Sequence, residues 1–360
     1  MIAVRAVRAV RAVPAVATVP AVGTVARMHV MPGVGGLGHS HTIYPMGVYA
    51  QWCGTRIGRM KIRRVRTPTG LQLQSLDDGQ WRALPGPSPL GPSPFSVEWE
   101  LATADRHLAH TEALLPFAPL SFRDFLLSAE HNVAAARGML RRFYPASSRI
   151  TALVERVTRT TFPAFKPKPL FYRQPIYYMS NAMTIVPTGT PVAFPSYSKG
   201  LDFELEIGFV LKDPLFNADP ATATAAIGAF VLLNDFSARD VQRPEMDSGL
   251  RPQKSKHFCS SMSATAVTAD EVLPRIADLT GSVQINGRTV STVSSAGLQW
   301  SIGDVLAHAS RDEQLLPGEL FGLGTLAGGS GMETDHWLRP GDTLRLVLDS
   351  VGEVEHLITR

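Results

Sequence analysis

The stretch LDFELEIGFVL, residues 201–211, sets the hardest condition on how this chain can fold. After Glu206 it is apolar at successive positions, as in a strand covered on both faces. Residues i and i+2 of a strand point the same way, about 6.6 Å apart, so Glu204 and Glu206 share a face. Two carboxylates in such a poorly solvated place repel each other, and one stays protonated unless a cation stands between them. A second run, GAFVLLND at 228–235, carries Asp235 to the end of another buried strand. A set of carboxylates selects a hard cation, Mg²⁺, Mn²⁺ or Ca²⁺.

With 360 residues, 44% of them hydrophobic and 18% charged, the chain can bury a sizeable core, as two domains or as one with an appendage. The net charge of +4 does not point to nucleic acid or to a membrane surface, because the positive excess is local. Residues 1–76 contain ten of the 35 basic residues and no acid; the remaining 25 bases face 31 acids. Two cysteines, Cys53 and Cys259, cannot build a disulfide framework, so a reducing, cytoplasmic setting is expected. No run approaches the roughly 20 apolar residues of a membrane span.

The opening AVRAVRAVRAVPAVATVPAVGTVA has a three-residue beat that fits neither helix nor strand. Residues 1–59 are read as a disordered extension, with a transit peptide or a misplaced translation start as its origin. Residues 60–120 form a small β unit followed by the Pro-rich link LPGPSPLGPSP (84–94), and 121–360 a catalytic domain. The stretch 121–143 reads as the clearest helix, capped by Ser121. From about 170 onward, short apolar runs separated by Gly, Pro, Asn and Asp give a mostly β domain. GVGGLG (33–38) and GLGTLA (322–327) lack the strand-turn-helix context of a dinucleotide site.

LDFELEIGFVL, LLNDFSARDVQRPEM, QKSKHF…VTADEV and LGTLAGGSGMETDHWLRPGDTLRLVL, in that order, resemble the consecutive signature blocks of the fumarylacetoacetate hydrolase family. The resemblance implies that Glu204, Glu206 and Asp235 bind metal, and that Arg239, Gln242 and Lys256 face the substrate as catalytic groups. It also implies substrate contacts from Tyr178 and Thr325. In the family an acidic metal ligand precedes the catalytic histidine by seven positions, and Asp124 and His131 keep that separation. On a helix seven residues are two turns, which would place both on one face. Glu333 is the implied partner of His131. His257 departs from the pattern, standing where the lysine block usually has Asp.

The same resemblance implies a mostly β (α+β) fold, a mixed β-sandwich roll with a small N-terminal β domain, usually assembled as a homodimer. The implied activity is a metal-dependent hydrolase of aromatic catabolism, Mg²⁺ being the first choice of cation. It would cleave a carbon–carbon bond in a 1,3-dicarbonyl substrate, an acylpyruvate or a fumarylacetoacetate-like diketo acid, with water activated by His131 and Glu333. The alternative is a decarboxylase or isomerase of 2-oxo acids on the same scaffold, which needs metal and lysine but no water-attacking dyad. A binding protein without catalysis is the third reading.

Overall fold

The alternating pattern after Met60 becomes three antiparallel strands, Lys61–Thr67, Gly70–Asp77 and Gln80–Ala83. The first of them pairs with Thr265–Thr268 and so continues into the main sheet. This computed structural model describes residues 60–86 and 88–360; the extension expected at 1–59 lies outside the described residues. Beyond Thr265–Thr268 the eleven-stranded sheet runs through Ile227–Asp235, Glu204–Leu211, Leu320–Ser330 and Phe122–Phe125 to Tyr177–Ser180. Ser260–Met262 and Ile185–Pro187 branch from it. A second sheet of five strands orders Arg288–Ser294, Thr280–Ile285, Thr343–Leu348, Gly352–Thr359 and Val192–Ala193.

The two central strands are buried at every position because both their faces are covered, and apart from the acids and Asn234 at the site end they are apolar. Ile207, Phe209, Phe230 and Leu232 pack in one core with Val283, Leu344, Leu346 and Val354 of the second sheet, which makes a sandwich. Val210, Val231 and Leu233 face the other way, into a smaller core with Ile62, Phe117, Phe122 and Leu320. The mostly β, two-sheet architecture expected from the sequence is therefore present, as a mixed sheet: Phe122–Phe125 runs parallel to Leu320–Ser330 while its other neighbour is antiparallel.

Register places the acidic residues. Asp124 pairs with Gly322, Gly322 with Gly208, and Gly208 with Val231, so one row crosses four strands. Glu206, two residues before Gly208, lies opposite Thr325 on one side and Leu233 on the other. Asp235 is two residues beyond Leu233, on the same face.

One expectation is corrected. Asp124 is not on a helix; Phe122–Phe125 is a fully buried strand, and the helix begins only at Ala129 and ends at Phe143. The reason is non-local pairing with Leu320–Gly322 and with Tyr177–Ser180, which satisfies the backbone of 122–125 in the sheet. Ser128, not Ser121, caps the helix, its hydroxyl accepting from the His131 amide at 3.1 Å. Two further helices, Val97–Leu108 and Pro145–Thr158, did not stand out in the sequence.

His131, Ala135 and Gly138 are the buried residues of the Ala129–Phe143 helix, spaced along one face that meets the short helix Gly331–Thr334. A Cβ on Gly138 would lie 1.8 Å from the Met332 carbonyl oxygen, so the close approach of the two helices requires glycine there. An Ala in an exposed helix interior would stabilise by up to about 1 kcal/mol. Here Gly138→Ala is expected to destabilise by about 1–3 kcal/mol through overpacking. Urea denaturation of the variant checks this, and a stabilised protein would contradict the packing described.

Candidate metal centre and active site

The strand ends and the two helices converge on a cavity of about 220 Å³. Asp124, Glu204, Glu206, Arg239, Lys256, Thr325, Tyr178, Gln242 and His131 all line it. Thus nine of the eleven residues singled out from sequence face one space, and the other two stand directly behind it. Asp235 is fully buried and bonded to Tyr178 and Lys256, and Glu333 is bonded to His131.

Asp124, Glu206 and Asp235 bring one carboxylate oxygen each to within 4.8 Å of one another. Their surroundings differ. Asp235 is well satisfied: Tyr178 Oη donates to it at 2.6 Å, Ser260 Oγ at 2.9 Å, and Lys256 Nζ lies 2.6 Å away. Asp124 Oδ1 and Glu206 Oε2 are buried with no hydrogen-bond partner among the described residues. Burial, then the Asp235 carboxylate, pushes the Asp124 carboxyl up to about 7. Burial, then Asp124, drives Glu206 well above the ordinary carboxylate range.

Such a pair is costly without a counter-charge. A Cβ on Gly322 would stand 2.9 Å from Glu206 Oε2 and 3.0 Å from Asp124 Oδ1, so this glycine leaves open the space between the two orphaned oxygens. Three converging carboxylates, two of them lacking a basic partner, fit a hard divalent cation.

Glu204 behaves differently from its neighbour Glu206. It accepts from Arg239 Nη2 at 2.7 Å and from Lys256 Nζ, and its Oε1 is 4.0 Å from His131 Nε2. These cations, Arg239 first, hold it well below the ordinary carboxylate range against the opposing effect of burial. It is therefore the anchor of the two buried cations and stands outside the three-carboxylate cluster. Arg239 Nε donates to Asp202 at 2.7 Å, and its Nη1 donates to Gln242 Oε1 at 2.9 Å.

His131 Nδ1 and Glu333 Oε1 are 2.7 Å apart. Glu333 is itself held by Ser330 Oγ and by the Gly328 amide, at 3.0 and 2.9 Å. With the carboxylate accepting from Nδ1–H, the other ring nitrogen, Nε2, carries the lone pair. Burial opposes a charge on His131, yet Glu333 outweighs it and raises the imidazole above its ordinary value.

Two structural residues were not singled out from the sequence. Asp202 shares the alternation of Glu204 and Glu206, which was its available signal; fully buried, it joins Arg239 to the Met332 amide. Glu245 accepts from the amides of Gln253, Lys254 and Ser255 and from Ser255 Oγ, at 2.6–3.2 Å, and so fixes the segment that leads to Lys256. No spacing or composition marks it. GLGTLA lies inside the strand Leu320–Ser330, in agreement with its dismissal as a dinucleotide loop.

Residues 151–359 match the family described as fumarylacetoacetate (FAA) hydrolase, C-terminal. The chain belongs to the fumarylacetoacetate hydrolase family. The match takes in the family blocks from Tyr178 to Glu333 but starts after Asp124 and His131, which only the fold brings to them. Human mitochondrial oxaloacetate tautomerase FAHD1 is 26% identical over 155 residues, 43% of this chain and 70% of the relative. The rat protein of the same name is 28% identical over 163 residues, 45% and 74% of the two chains. Among solved structures, 5-carboxymethyl-2-hydroxymuconate delta-isomerase from Mycobacterium smegmatis aligns with TM-score 0.58 at 19% identity, covering 84% of this chain and all of the other. Fumarylacetoacetate hydrolase from Exiguobacterium antarcticum aligns with TM-score 0.58 at 17% identity, covering 83% and 99%. These two likenesses show the fold; the family contains hydrolases, isomerases and a tautomerase by name. Among the described residues no helix is long and apolar enough to cross a membrane.

Removing one charge from the cluster should separate its two roles. Asp124→Asn is expected to raise the thermal midpoint of the cation-free protein, because it relieves buried like-charge repulsion, and to abolish the rise on adding Mg²⁺ or Mn²⁺. Gly322→Ala is expected to weaken the cation by roughly tenfold or more, since its methyl group enters the cradle. Thermal melts with and without the ion, and a calorimetric titration, measure both.

Proposed function

We propose that the chain is a metal-dependent hydrolase that cleaves a carbon–carbon bond of a 1,3-dicarbonyl substrate. The observation that carries this reading is the buried His131–Glu333 pair, 2.7 Å apart, with His131 lining the same cavity as Asp124 and Glu206. An imidazole whose tautomer is fixed by a carboxylate, beside a cation site, suits the activation of water.

Asp124, Glu206 and Asp235 would hold the ion, Mg²⁺ by choice of ligand type. When bound it supplies Lewis acidity to a carbonyl oxygen of the substrate. His131 Nε2 takes a proton from water while Glu333 fixes the ring and its tautomer, and the hydroxide adds to the carbonyl carbon. Lys256 donates to Glu204 and pairs with Asp235 at 2.6 Å, and an N–H that Glu204 does not take would serve the developing oxyanion. Arg239 is committed on three sides and acts mainly by setting Glu204 and Gln242 in place. As the carbon–carbon bond breaks, the electron pair passes to the departing enolate, and the proton on His131 completes the ketone.

A second reading, a 2-oxo acid tautomerase, is favoured by the similarity to oxaloacetate tautomerases. There the same imidazole would move a proton between carbon and oxygen without consuming water. Incubation with Mg²⁺ and acylpyruvates, diketo diacids or oxaloacetate in H₂¹⁸O decides between them. Cleavage with one labelled carboxylate oxygen supports hydrolysis; ketonisation without label supports the tautomerase.

Under the hydrolase reading His131→Ala lowers kcat by roughly 10²–10⁴-fold. His131 must be neutral to act, and Glu333 raises its affinity for a proton, so the acidic limb of the kcat/KM profile is expected above about pH 6.5. Glu333→Gln removes that stabilisation of the imidazolium. The limb should then move to lower pH while the maximum rate falls; steady-state kinetics across pH 5–9 would show a limb in the same place if Glu333 does not act through His131.

A further inference from the structure

We propose that Arg251 forms an outer subsite that binds a second carboxylate of the substrate, so that the cavity takes diacids in preference to monoacids. The inference rests on the reading of the inner cavity as a dicarbonyl site and adds what holds the far end of the ligand.

The cavity's cations are unequally occupied. Arg239 is spent on Asp202 and Glu204, and Lys256 on Glu204 and Asp235. Arg251 also lines the cavity, is exposed, and makes no hydrogen bond or ion pair from its side chain among the described residues. The acids that precede it on the helix Arg239–Asp247 are already used. Asp247 accepts from Arg243 Nε at 2.8 Å, and Glu245 is filled by three backbone amides and the Ser255 hydroxyl. Those two carboxylates are therefore not available to the guanidinium.

Its backbone is held in a conformation that side chains seldom adopt, with φ +45, between Gly249 at φ +87 and the Glu245-clamped residues 253–255. Left-handed non-glycine residues cost energy and are kept where the surroundings fix them. Leu126, Ile176, Ala135 and Met332 add apolar surface to the cavity that Arg251 and the floor carboxylates line. An elongated ligand with its dicarbonyl end at Asp124 and Glu206, an apolar or conjugated middle, and a terminal carboxylate matches that set of surfaces. A planar guanidinium binds such a carboxylate through two parallel hydrogen bonds.

The test is calorimetric titration of the full chain in saturating Mg²⁺ with 2-oxoadipate and 2-oxohexanoate, which differ in the terminal carboxylate. The wild type is expected to bind the diacid at least about tenfold more tightly, as a charge-assisted pair at a partly open site allows. Arg251→Gln is expected to remove that preference while leaving the affinity for the monoacid within about twofold, which also shows that the variant is folded. Equal affinities in the wild type, absence of binding by both acids, a preference that survives in Arg251→Gln, or equal weakening of both ligands would each overturn the subsite. The hydrolase reading fails by a separate result, absence of ¹⁸O uptake, which leaves the binding preference intact.

Discussion

The site is organised by unequal neutralisation of buried carboxylates. Glu204 and Asp235 are supplied with cations by Arg239 and Lys256, whereas Asp124 and Glu206 receive none. Burying an uncompensated charge is among the most expensive things a fold can do, so the two carboxyls placed side by side here hold their protons more tightly than usual, and a divalent cation would take the protons' place. The same strand supplies both kinds of glutamate. Glu204, next to the sheet's end, faces the helix Arg239–Asp247, and Glu206, one pleat deeper, faces Asp124 across Gly322. Two residues of separation along one strand therefore divide a glutamate paired with buried cations from one that has none.

This division was not visible in the sequence, where Glu204 and Glu206 are equivalent members of one alternation. Their common face follows from the period of a strand and is correct. Which of them meets a cation depends on Arg239 and Lys256, 35 and 52 residues further on, and on how the intervening turns fold back. The family blocks nevertheless identified these basic residues, and with them Asp235, Tyr178 and Thr325, because the motif records chemistry that the spacing does not. Asp124 shows the opposite case. Its position seven residues before His131 was legible, but the helical geometry invoked for it was not right. Four residues, FRDF, carry too little periodicity to declare a strand, and pairing with a segment some 200 residues away decides the matter.

The His131–Glu333 pair depends on packing in the same way that the carboxylate cluster depends on register. His131 is brought to Glu333 by the close approach of two helices, and that approach is set by the absence of a side chain at Gly138. Asp202 ties the two halves together, since one carboxylate receives both Arg239 Nε and the Met332 amide, one residue from Glu333. The imidazole and the buried guanidinium are thus fixed by a common anion. A change at Asp202, which touches neither the proposed ion nor His131, would disturb both.

The paired interior contrasts with a rim that keeps an unpaired cation among the described residues. Arg239 and Lys256 at the cavity floor are held in place by carboxylates, so the floor presents fixed groups to a ligand. Under the dicarbonyl reading such an interior would contact only the head that the ligands share, and so would discriminate little among them. Selection between members of one substrate class must then come from residues that the inner network does not use. In this chain the rim cation without an internal partner is Arg251, held beside the clamp that Glu245 makes on the Lys256 segment. The same clamp therefore sets the depth of Lys256 and borders the loop that carries Arg251, so one loop would fix the distance between the two ends of a ligand held by both.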